Sequence, residues 1–284
     1  MINTKILSGI EASHALYDSL HERIKSLKDQ GITPGLAAIL VGEDPASQIY
    51  VRNKTKRFDS LGLKSDLYRL DKTVSEDEVL DLIAKINKDD NFHGILVQLP
   101  LPKHINSDKI IHAIDPTKDV DGFHPENAGL LSIGRPRFIP CTPKGIMFML
   151  KHFKVELNGK HVVVIGRSNI VGRPVSVLSS LKELGNATVT ICHSGTSDLK
   201  YFTQQADVIV AAMGSPEFLD ASYIKEGACL IDVGINRILR DEKSKIVGDV
   251  NESSVTGKAS SLSPVPKGVG PMTIAMLVEN TVLS

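Results

Sequence analysis

Two patterns of hydrophobic residues alternate along the whole chain. One is the short apolar run of a strand, and the other is the spacing of three or four residues that is typical of a helix. Short, almost wholly apolar runs, such as 36–41 and 161–165, predict buried β-strands. Between such runs, apolar residues three and four positions apart, such as Leu16, Leu20 and Ile24, predict amphipathic helices. Short strands separated by helices indicate an α/β protein with parallel strands joined by right-handed crossovers.

The pattern restarts near residue 140, and this restart divides the chain into two predicted domains. Thr142-Pro143 reads as a helix N-cap followed by a first-turn proline, and 284 residues suit two domains. We expect an N-terminal α/β substrate-binding and catalytic domain over 1–140, joined by a C-terminal helix at 270–284. Residues 141–269 are expected to form a Rossmann-like domain with a parallel sheet. The sequence places the domain boundary to within about ten residues.

Local signals place several element ends. Asp44-Pro45 predicts the N-cap and first turn of a helix that Gly62 closes, and Ser75 with Glu78 predicts a capping box. In the second half, the remaining apolar runs predict three further strands, at 187–192, 207–212 and 228–233.

Composition and charge mainly exclude classes of partner for this protein. Lys plus Arg and Asp plus Glu both number 33, so no overall field attracts nucleic acid or an anionic membrane. No run approaches the ~18 apolar residues of a membrane span, and Lys5 and Glu11 interrupt the N-terminus before a signal-peptide core can develop. The three cysteines have no metal-binding spacing. We therefore expect a cytoplasmic protein with reduced thiols and no metal, nucleic-acid or membrane partner.

The apolar run 161–165 leads into GRSNIVGRP at 166–174, which we interpret as a loop that binds a dinucleotide pyrophosphate. Gly166 permits a tight turn and Gly172 permits close packing, while the following helix offers free N–H groups. Ser168 stands where the common pattern has its second glycine, and its hydroxyl can itself donate to a phosphate. On spacing alone, an ordinary strand-to-helix turn stays open as an alternative.

The next predicted strand favours NADP over NAD. An NAD site needs a carboxylate near the end of that strand to bind the ribose 2′-hydroxyl, and residues 185–196 contain no Asp or Glu. Arg167 and Ser194 can instead bind a 2′-phosphate through charge-assisted hydrogen bonds. The alternative for Arg167 is a solvated surface arginine. Ile170 and Ile235 complete the candidate cofactor contacts.

The helix predicted to begin at Pro45 carries Tyr50, Lys54 and Arg57 on one face. A tyrosine one turn before a lysine offers a flat aromatic surface beside a group that can carry a proton. Taken alone, however, such a basic helix favours a solvated surface with a half-buried tyrosine.

Two other segments place polar side chains where ligands bind. Gln98 ends an apolar strand, and the carboxyl ends of strands are the ligand-binding edge of open α/β sheets. Asp119 and Asp121 precede a glycine turn and can accept hydrogen bonds from ring N–H donors. Capping of their own loop is the alternative, and we expect it for Asp119.

Five segments together resemble one known family. They are YVRNK at 50–54, VQLPLP at 97–102, KDVDGFHP at 118–125, GRSNIVGRP at 166–174 and PVPKGVGPMT at 264–273. In order and spacing they resemble methylenetetrahydrofolate dehydrogenase/cyclohydrolase over essentially the whole chain. The resemblance implies a homodimer that binds a tetrahydrofolate substrate between its domains. It also implies NADP-dependent oxidation of methylenetetrahydrofolate to methenyltetrahydrofolate, followed by hydrolysis to 10-formyltetrahydrofolate.

The resemblance also implies roles for individual residues. Tyr50 matches the residue that stacks on the pterin, Lys54 the catalytic lysine, Gln98 the residue that orients this lysine, and Asp121 the carboxylate that holds the pterin N–H groups. Because hydride transfer mainly requires positioning, whereas hydrolysis requires proton movement, we expect Lys54 to serve the hydrolysis.

Other positions match the loops around the ligands. Gly166 to Gly172 matches the pyrophosphate loop, and Pro264 and Gly268 match the segment that lines the folate cleft. Lys267 departs from the pattern, because the family commonly has a glycine there, and this departure puts the shape of the loop in question.

Two other classes of function fit parts of the sequence. An NADP-dependent dehydrogenase of another small molecule shares the dinucleotide loop but gives no reason for Tyr50, Lys54, Gln98 and Asp121 to converge. A nucleotide-sensing module without catalysis would bind the cofactor and turn nothing over.

Replacing Arg167 by Ala should raise the KM for NADP far more than the KM for NAD, because only NADP carries the 2′-phosphate. Steady-state kinetics with both cofactors tests this expectation. Equal effects on the two cofactors would contradict the assignment of Arg167.

Overall fold

A computed structural model describes residues 2–240 and 243–284 of the protein, and for Ala46 its backbone alone. The chain divides into two compact units, each with its own parallel sheet. We name residues 16–141 with 274–284 the first unit, and residues up to Ala15 with 142–273 the second unit. The predicted two-domain α/β class is confirmed.

Strands and helices alternate through the first half of the chain, as the pattern predicts. In order they are β1 (Lys5–Ile6), α1 (Gly9–Asp29), β2 (Gly35–Val41), α2 (Pro45–Ser60), β3 (Lys64–Leu70), α3 (Glu76–Asn87), β4 (Gly94–Val97), α4 (Ser107–Ala113) and α5 (Pro125–Ser132).

The alternation continues in the second half, with a 3₁₀ turn at Ala221–Tyr223. The elements are α6 (Cys141–His152), β5 (His161–Ile165), α7 (Gly172–Ser180), β6 (Thr188–Cys192), α8 (Leu199–Thr203), β7 (Val208–Ala211), β8 (Cys229–Asp232), β9 (Asn236–Arg240), β10 (Lys243–Val247), α9 (Glu252–Val255), β11 (Ser261–Leu262) and α10 (Val269–Leu283).

The sheet of the first unit has three parallel strands in the order β3-β2-β4. The central strand β2 is buried along its whole length, as expected for a parallel strand covered on both faces. On one face, Ala37 and Ile39 pack with Val79 and Ile83 of α3. This core holds the carboxyl ends of β2 and β4 side by side.

The capping signals of the first unit are confirmed. The Asp44 carboxylate accepts from Ser47 N at 2.7 Å, and Pro45 occupies the first turn of α2. After α2, Gly62 has φ +63°. At α3, Ser75 Oγ accepts from Glu78 N at 3.2 Å, while Glu78 Oε2 accepts from Ser75 N at 2.9 Å. These bonds satisfy N–H groups that the first helical turns leave unpaired.

The sheet of the second unit has six parallel strands in the order β1-β11-β8-β7-β5-β6, and β9 and β10 form a separate antiparallel hairpin. The three strands predicted at 187–192, 207–212 and 228–233 correspond to β6, β7 and β8. The predicted Rossmann-like parallel sheet is confirmed.

The units exchange the two ends of the chain. The C-terminal helix was expected in the first domain, whereas the residues up to Ala15 were expected there and belong to the second unit. Residues up to Ala15 belong to the second unit because β1 pairs in parallel with β11, with Lys5 opposite Ser261. The end of α10 belongs to the first unit, where Asn280 Nδ2 donates to Val120 O at 2.8 Å and Ile139 O at 3.1 Å.

A buried carboxylate ends β8. Asp232 is 3% exposed, and it accepts backbone hydrogen bonds from Gly234, Asp249 and Val250, each at 2.9 Å. The pKa of Asp232 is raised to about 6, because loss of hydration on burial, together with the nearby charge of Asp249, outweighs these three bonds.

We expect the free energy of unfolding to fall as pH rises through this range. The raised pKa means that the folded chain keeps a proton that the unfolded chain releases, so the stabilisation is complete below the ordinary carboxyl pKa and is lost above the folded one. A shift of roughly two units corresponds to about 3 kcal/mol. Urea unfolding of the wild type and Asp232→Asn at about pH 4.5 and about pH 7 measures the difference. Identical pH dependence in both proteins would show that Asp232 does not titrate there.

Candidate active site and dinucleotide loops

Helix α2 buries a lysine among apolar side chains. Val51, Lys54 and Phe58 lie three and four positions apart, and all three are buried, with Lys54 only 6% exposed. The Lys54 Nζ donates to Gln98 Oε1 at 3.2 Å, and Gln98 Nε2 donates to Leu99 O at 2.7 Å. Gln98 is therefore held with its oxygen towards the lysine, directly after β4.

The other polar side chains of α2 differ in burial and in the residues that they contact. Tyr50 is half-buried one turn before Lys54, and burial raises the pKa of its phenol. Arg57 turns to the ring of Tyr17, at 4.6 Å from its centroid. Arg52 is exposed, so its charge is screened by solvent. The three residues predicted to share one face therefore have different neighbours. Arg57 packs against Tyr17, whereas Lys54 bonds to Gln98.

The two aspartates after β4 have separate surroundings. Asp119 is 1% exposed, and its carboxylate accepts from His124 N and Asn127 Nδ2, both at 2.8 Å, and from Phe123 N at 3.2 Å. Asp119 therefore holds its own loop together, which agrees with the expectation from sequence.

Asp121 is the carboxylate that this loop presents near Lys54. A parallel bridge between Ile95 and Asp119 brings the segment beside β4, close to its carboxyl end. Burial raises the pKa of Asp121, while the positive charge of Lys54 and a hydrogen bond with the Cys141 thiol oppose the shift. The structure thus brings Lys54, Gln98 and Asp121 together in the first unit.

Pro264 and Gly268 lie in the second unit, in the loop between β11 and α10. The loop is tight, since a Cβ on Gly268 would lie 2.4 Å from Pro264 O. Lys267 has φ +85° and an exposed side chain, and its carbonyl accepts from Gly9 N at 2.9 Å. The lysine therefore adopts the left-handed backbone that a glycine adopts more readily.

The loop after β5 has the close contacts that the dinucleotide pattern predicts. Gly166 has φ +128°, and a Cβ there would lie 2.3 Å from Ala212 O. A Cβ on Gly172 would lie 2.2 Å from Gly166 O. Ser168 Oγ accepts from Val171 N at 3.1 Å and Gly172 N at 3.4 Å, so it caps the start of α7 and keeps its own proton free to donate.

Arg167 and Ser194 lie at neighbouring strand ends, together with a residue that the sequence reasoning missed. Arg167 Nη1 is 3.4 Å from His193 Nε2, and His193 Nδ1 accepts from Gly195 N at 3.0 Å. The Arg167 guanidinium can only donate, so this contact holds its side chain against the His193 ring at the edge where β5 and β6 end. The position of His193 before Ser194, at the end of a predicted strand, was the available signal.

Two isoleucines present apolar side chains at this edge of the second unit. Ile170 lies in the loop after β5, and Ile235, which is 52% exposed, follows β8. Among the described residues, no group of three or more His, Cys, Asp or Glu side chains is placed to hold a metal ion. Within the same residues, no helix has the length and apolar character of a membrane span.

Comparison with known proteins places both units in one family. The model of the tetrahydrofolate dehydrogenase/cyclohydrolase catalytic domain matches residues 7–121, and that of the NAD(P)-binding domain matches residues 140–284. The bifunctional protein FolD of Agathobacter rectalis is 53% identical over 277 residues, which cover 98% of this chain and 97% of the relative.

Two solved structures have the same fold. The bifunctional FolD enzyme of Campylobacter jejuni, a methylenetetrahydrofolate dehydrogenase/cyclohydrolase, is 49% identical with a TM-score of 0.93, covering 98% of this chain and 97% of that one. FolD of Trypanosoma brucei, complexed with NADP cofactor and inhibitor, is 35% identical with a TM-score of 0.94, covering 100% and 97%. Together with the buried Lys54–Gln98 pair and the dinucleotide loop, these matches show that the chain belongs to the tetrahydrofolate dehydrogenase/cyclohydrolase family.

Proposed function

We propose that this protein is a bifunctional enzyme of one-carbon metabolism. It oxidises methylenetetrahydrofolate to methenyltetrahydrofolate with NADP, and it then hydrolyses the methenyl group to give 10-formyltetrahydrofolate. The observation that carries the proposal is the buried Lys54, bonded to Gln98 and close to Asp121, in a chain whose second unit has a dinucleotide loop. The first unit binds the folate and supplies the proton carrier, while the second unit binds NADP.

The oxidation depends more on the positioning of the substrate against the cofactor than on acid–base catalysis. Hydride leaves a methylene carbon that bridges two nitrogens, and the resulting cation is delocalised over both. The cofactor supplies the hydride acceptor, so the protein mainly holds the two reactants in register. Tyr50, half-buried on α2, provides a flat surface for the pterin ring.

The hydrolysis requires a group that moves protons. Water adds to the methenyl carbon and loses a proton to the amine of Lys54. The resulting ammonium then protonates the ring nitrogen as its C–N bond breaks, and the hydroxyl of the adduct loses its proton to solvent as the formyl C=O forms. Gln98 orients the lysine through the hydrogen bond at 3.2 Å. Asp121 accepts hydrogen bonds from the pterin amino and ring N–H groups.

NADP is the cofactor that the second unit suits. Arg167 and Ser194 bind the 2′-phosphate, and the loop from Gly166 to Gly172 with Ser168 binds the pyrophosphate at the start of α7. Ile170 and Ile235 provide apolar contacts to the cofactor.

The protein acts in the cytoplasm as a homodimer. Strand β6 is the last strand of its sheet, and its outward edge is unpaired among the described residues. Ile191 in this strand is 42% exposed, and an exposed strand edge with an apolar side chain favours pairing with a second copy. Light scattering during size-exclusion chromatography gives the molar mass in solution, and a monomer at micromolar concentration would contradict the dimer.

The first experiment follows absorbance while purified protein acts on methylenetetrahydrofolate with NADP, and separately with NAD. We expect NADPH to form in preference to NADH, and the methenyl absorbance to decay faster than in buffer. Reduction of NADP by other small substrates, but not by the folate, would support a different dehydrogenase. Cofactor binding without any turnover would support a sensing module.

Replacing Lys54 by Met should abolish hydrolysis, because methionine has a similar side-chain length but cannot accept or donate a proton. Folate binding and part of the hydride transfer should remain. Lys56→Met is the matched control, because Lys56 is exposed on the same helix. Hydrolysis of methenyltetrahydrofolate that persists within a few-fold in Lys54→Met would show that Lys54 is a spectator.

Replacing Asp121 by Ala should weaken folate binding by roughly 1–3 kcal/mol, because the pterin N–H groups lose their acceptor in a buried place. This is about a fivefold to 150-fold rise in the KM for the folate. Asp108→Ala, at an exposed carboxylate of α4, serves as the control. An unchanged KM in Asp121→Ala would argue against the pterin role.

A further inference from the structure

Asp249 is a fully buried carboxylate to which the proposed function gives no role. Its side chain is 0% exposed and accepts four hydrogen bonds. Oδ2 accepts from Met213 N at 2.7 Å and Gly214 N at 3.0 Å. Oδ1 accepts from Ser215 N at 2.9 Å and Asn236 Nδ2 at 2.8 Å. Each oxygen thus has two donors, which is close to the full capacity of an ionised carboxylate.

The three backbone donors belong to a single loop, which follows β7. Successive N–H groups that converge on one point form an anion-binding concavity, and Gly214, with φ +68°, provides the left-handed residue that turns the chain. In this protein the anion is the protein's own carboxylate. The loop 212–215 is therefore closed around Asp249.

Asp232 ties this loop to the next one. Asp232 Oδ1 accepts from both Asp249 N and Gly234 N at 2.9 Å. Two glycines make room for the pair, since a Cβ on Gly248 would lie 1.8 Å from Asp232 Oδ2, and one on Gly234 would lie 2.3 Å from Asp249 Oδ1. The backbone at Gly234 and at Gly248 therefore packs directly against the two carboxylates.

The loops that these carboxylates hold lie at the edge of the sheet that faces a dinucleotide. In the order β8-β7-β5-β6, the pyrophosphate loop follows β5, and Arg167 and Ser194 mark the adenosine end on the β6 side. A dinucleotide bound across this edge therefore extends its nicotinamide half towards β7 and β8. Gly166 is already in close approach to Ala212, the first residue of the loop after β7.

The loop after β8 carries one of the candidate cofactor contacts. Ile235 is exposed, while its neighbours on both sides are anchored: Gly234 N donates to Asp232 and Asn236 Nδ2 donates to Asp249. The two carboxylates thus determine where an exposed apolar side chain lies at the nicotinamide end.

We propose that Asp249 is a positioning residue for hydride transfer. It holds the loop 212–215 and, through Asn236, the loop of Ile235 in the arrangement that orients the nicotinamide half of NADP. This inference rests on the proposed function, because it assigns Asp249 to the dehydrogenase step and not to the hydrolysis.

Asp249→Asn tests the proposal with little change in volume. The amide keeps one oxygen, but its NH₂ group faces backbone N–H donors, so part of the loop must move away. A displacement of about 1 Å at a reacting group costs about a hundredfold in rate. We therefore expect the dehydrogenase kcat to fall between tenfold and a hundredfold, by this order of magnitude.

The second activity of the same protein gives the internal reference. Methenyltetrahydrofolate supplied directly, without NADP, should be hydrolysed by Asp249→Asn within about twofold of the wild-type rate, since its barrier involves no hydride transfer. Equilibrium binding adds a second readout. The affinity for adenosine 2′,5′-bisphosphate, which has only the adenosine end, should be unchanged, whereas NADP should bind about tenfold more weakly, a loss of about 1.4 kcal/mol.

Asp207→Asn is the matched control. Asp207 also accepts a backbone hydrogen bond, from His161 N at 2.8 Å, but it lies at the start of β5 and β7, the opposite edge of the same sheet. This variant should leave both activities unchanged. Asn236→Ala removes only one donor from Asp249, so it keeps the test open if Asp249→Asn does not fold, and we expect a smaller loss confined to the dehydrogenase.

Equal losses in both activities, or equal weakening of NADP and adenosine 2′,5′-bisphosphate, would overturn the positioning role and leave Asp249 as a residue that stabilises its unit. Unchanged activity in Asp249→Asn would overturn it as well. The proposed function fails separately, when the wild type does not reduce NADP with methylenetetrahydrofolate.

Discussion

Parallel pairing around β5 is the constraint on which the second unit depends. Val162 to Ile165 pair with β6 on one side and β7 on the other, so three strands end at one edge. Because every strand of a parallel sheet ends at the same edge, the loops at 166, 193, 212 and 233 are neighbours although they are far apart in sequence. The groups proposed to bind the cofactor are brought together by that geometry.

The first unit obeys the same rule with a smaller sheet. Gln98 and Asp121 both interact with Lys54 because the segment from Asp119 to Asp121 runs parallel to β4 from Ile95 onwards, and α2 faces the carboxyl end of this strand with Lys54. A lysine among buried apolar residues is costly unless its charge has a partner. The amide oxygen of Gln98 and the nearby Asp121 carboxylate provide it, which links the packing of α2 to the chemistry proposed for it.

Much of this was predictable from sequence, because the signals were local. Apolar runs marked the parallel strands, and Asp44 and Ser75 marked helix starts. The burial of Lys54 was not predicted from its helix alone, because the basic residues around it are typical of a solvated surface, whereas the structure buries it between Val51 and Phe58. The hairpin β9–β10 gave no such signal, because most of its side chains are exposed and its apolar residues lack the pattern of a buried strand. The network around Asp249 was also hidden, since its donors are mainly backbone N–H groups, which every residue type except proline provides.

The exchange of chain ends has a consequence for how the protein is made. Domains generally fold as units during synthesis, from the N-terminus onwards. Here the first unit includes residues 274–284, so it stays incomplete until this segment has been synthesised. The second unit needs β1, which must wait for β11, more than 250 residues later. Both sheets can begin to form early, but the second unit lacks part of its residues until residue 273 has been made, and the first unit until the segment 274–284 has followed.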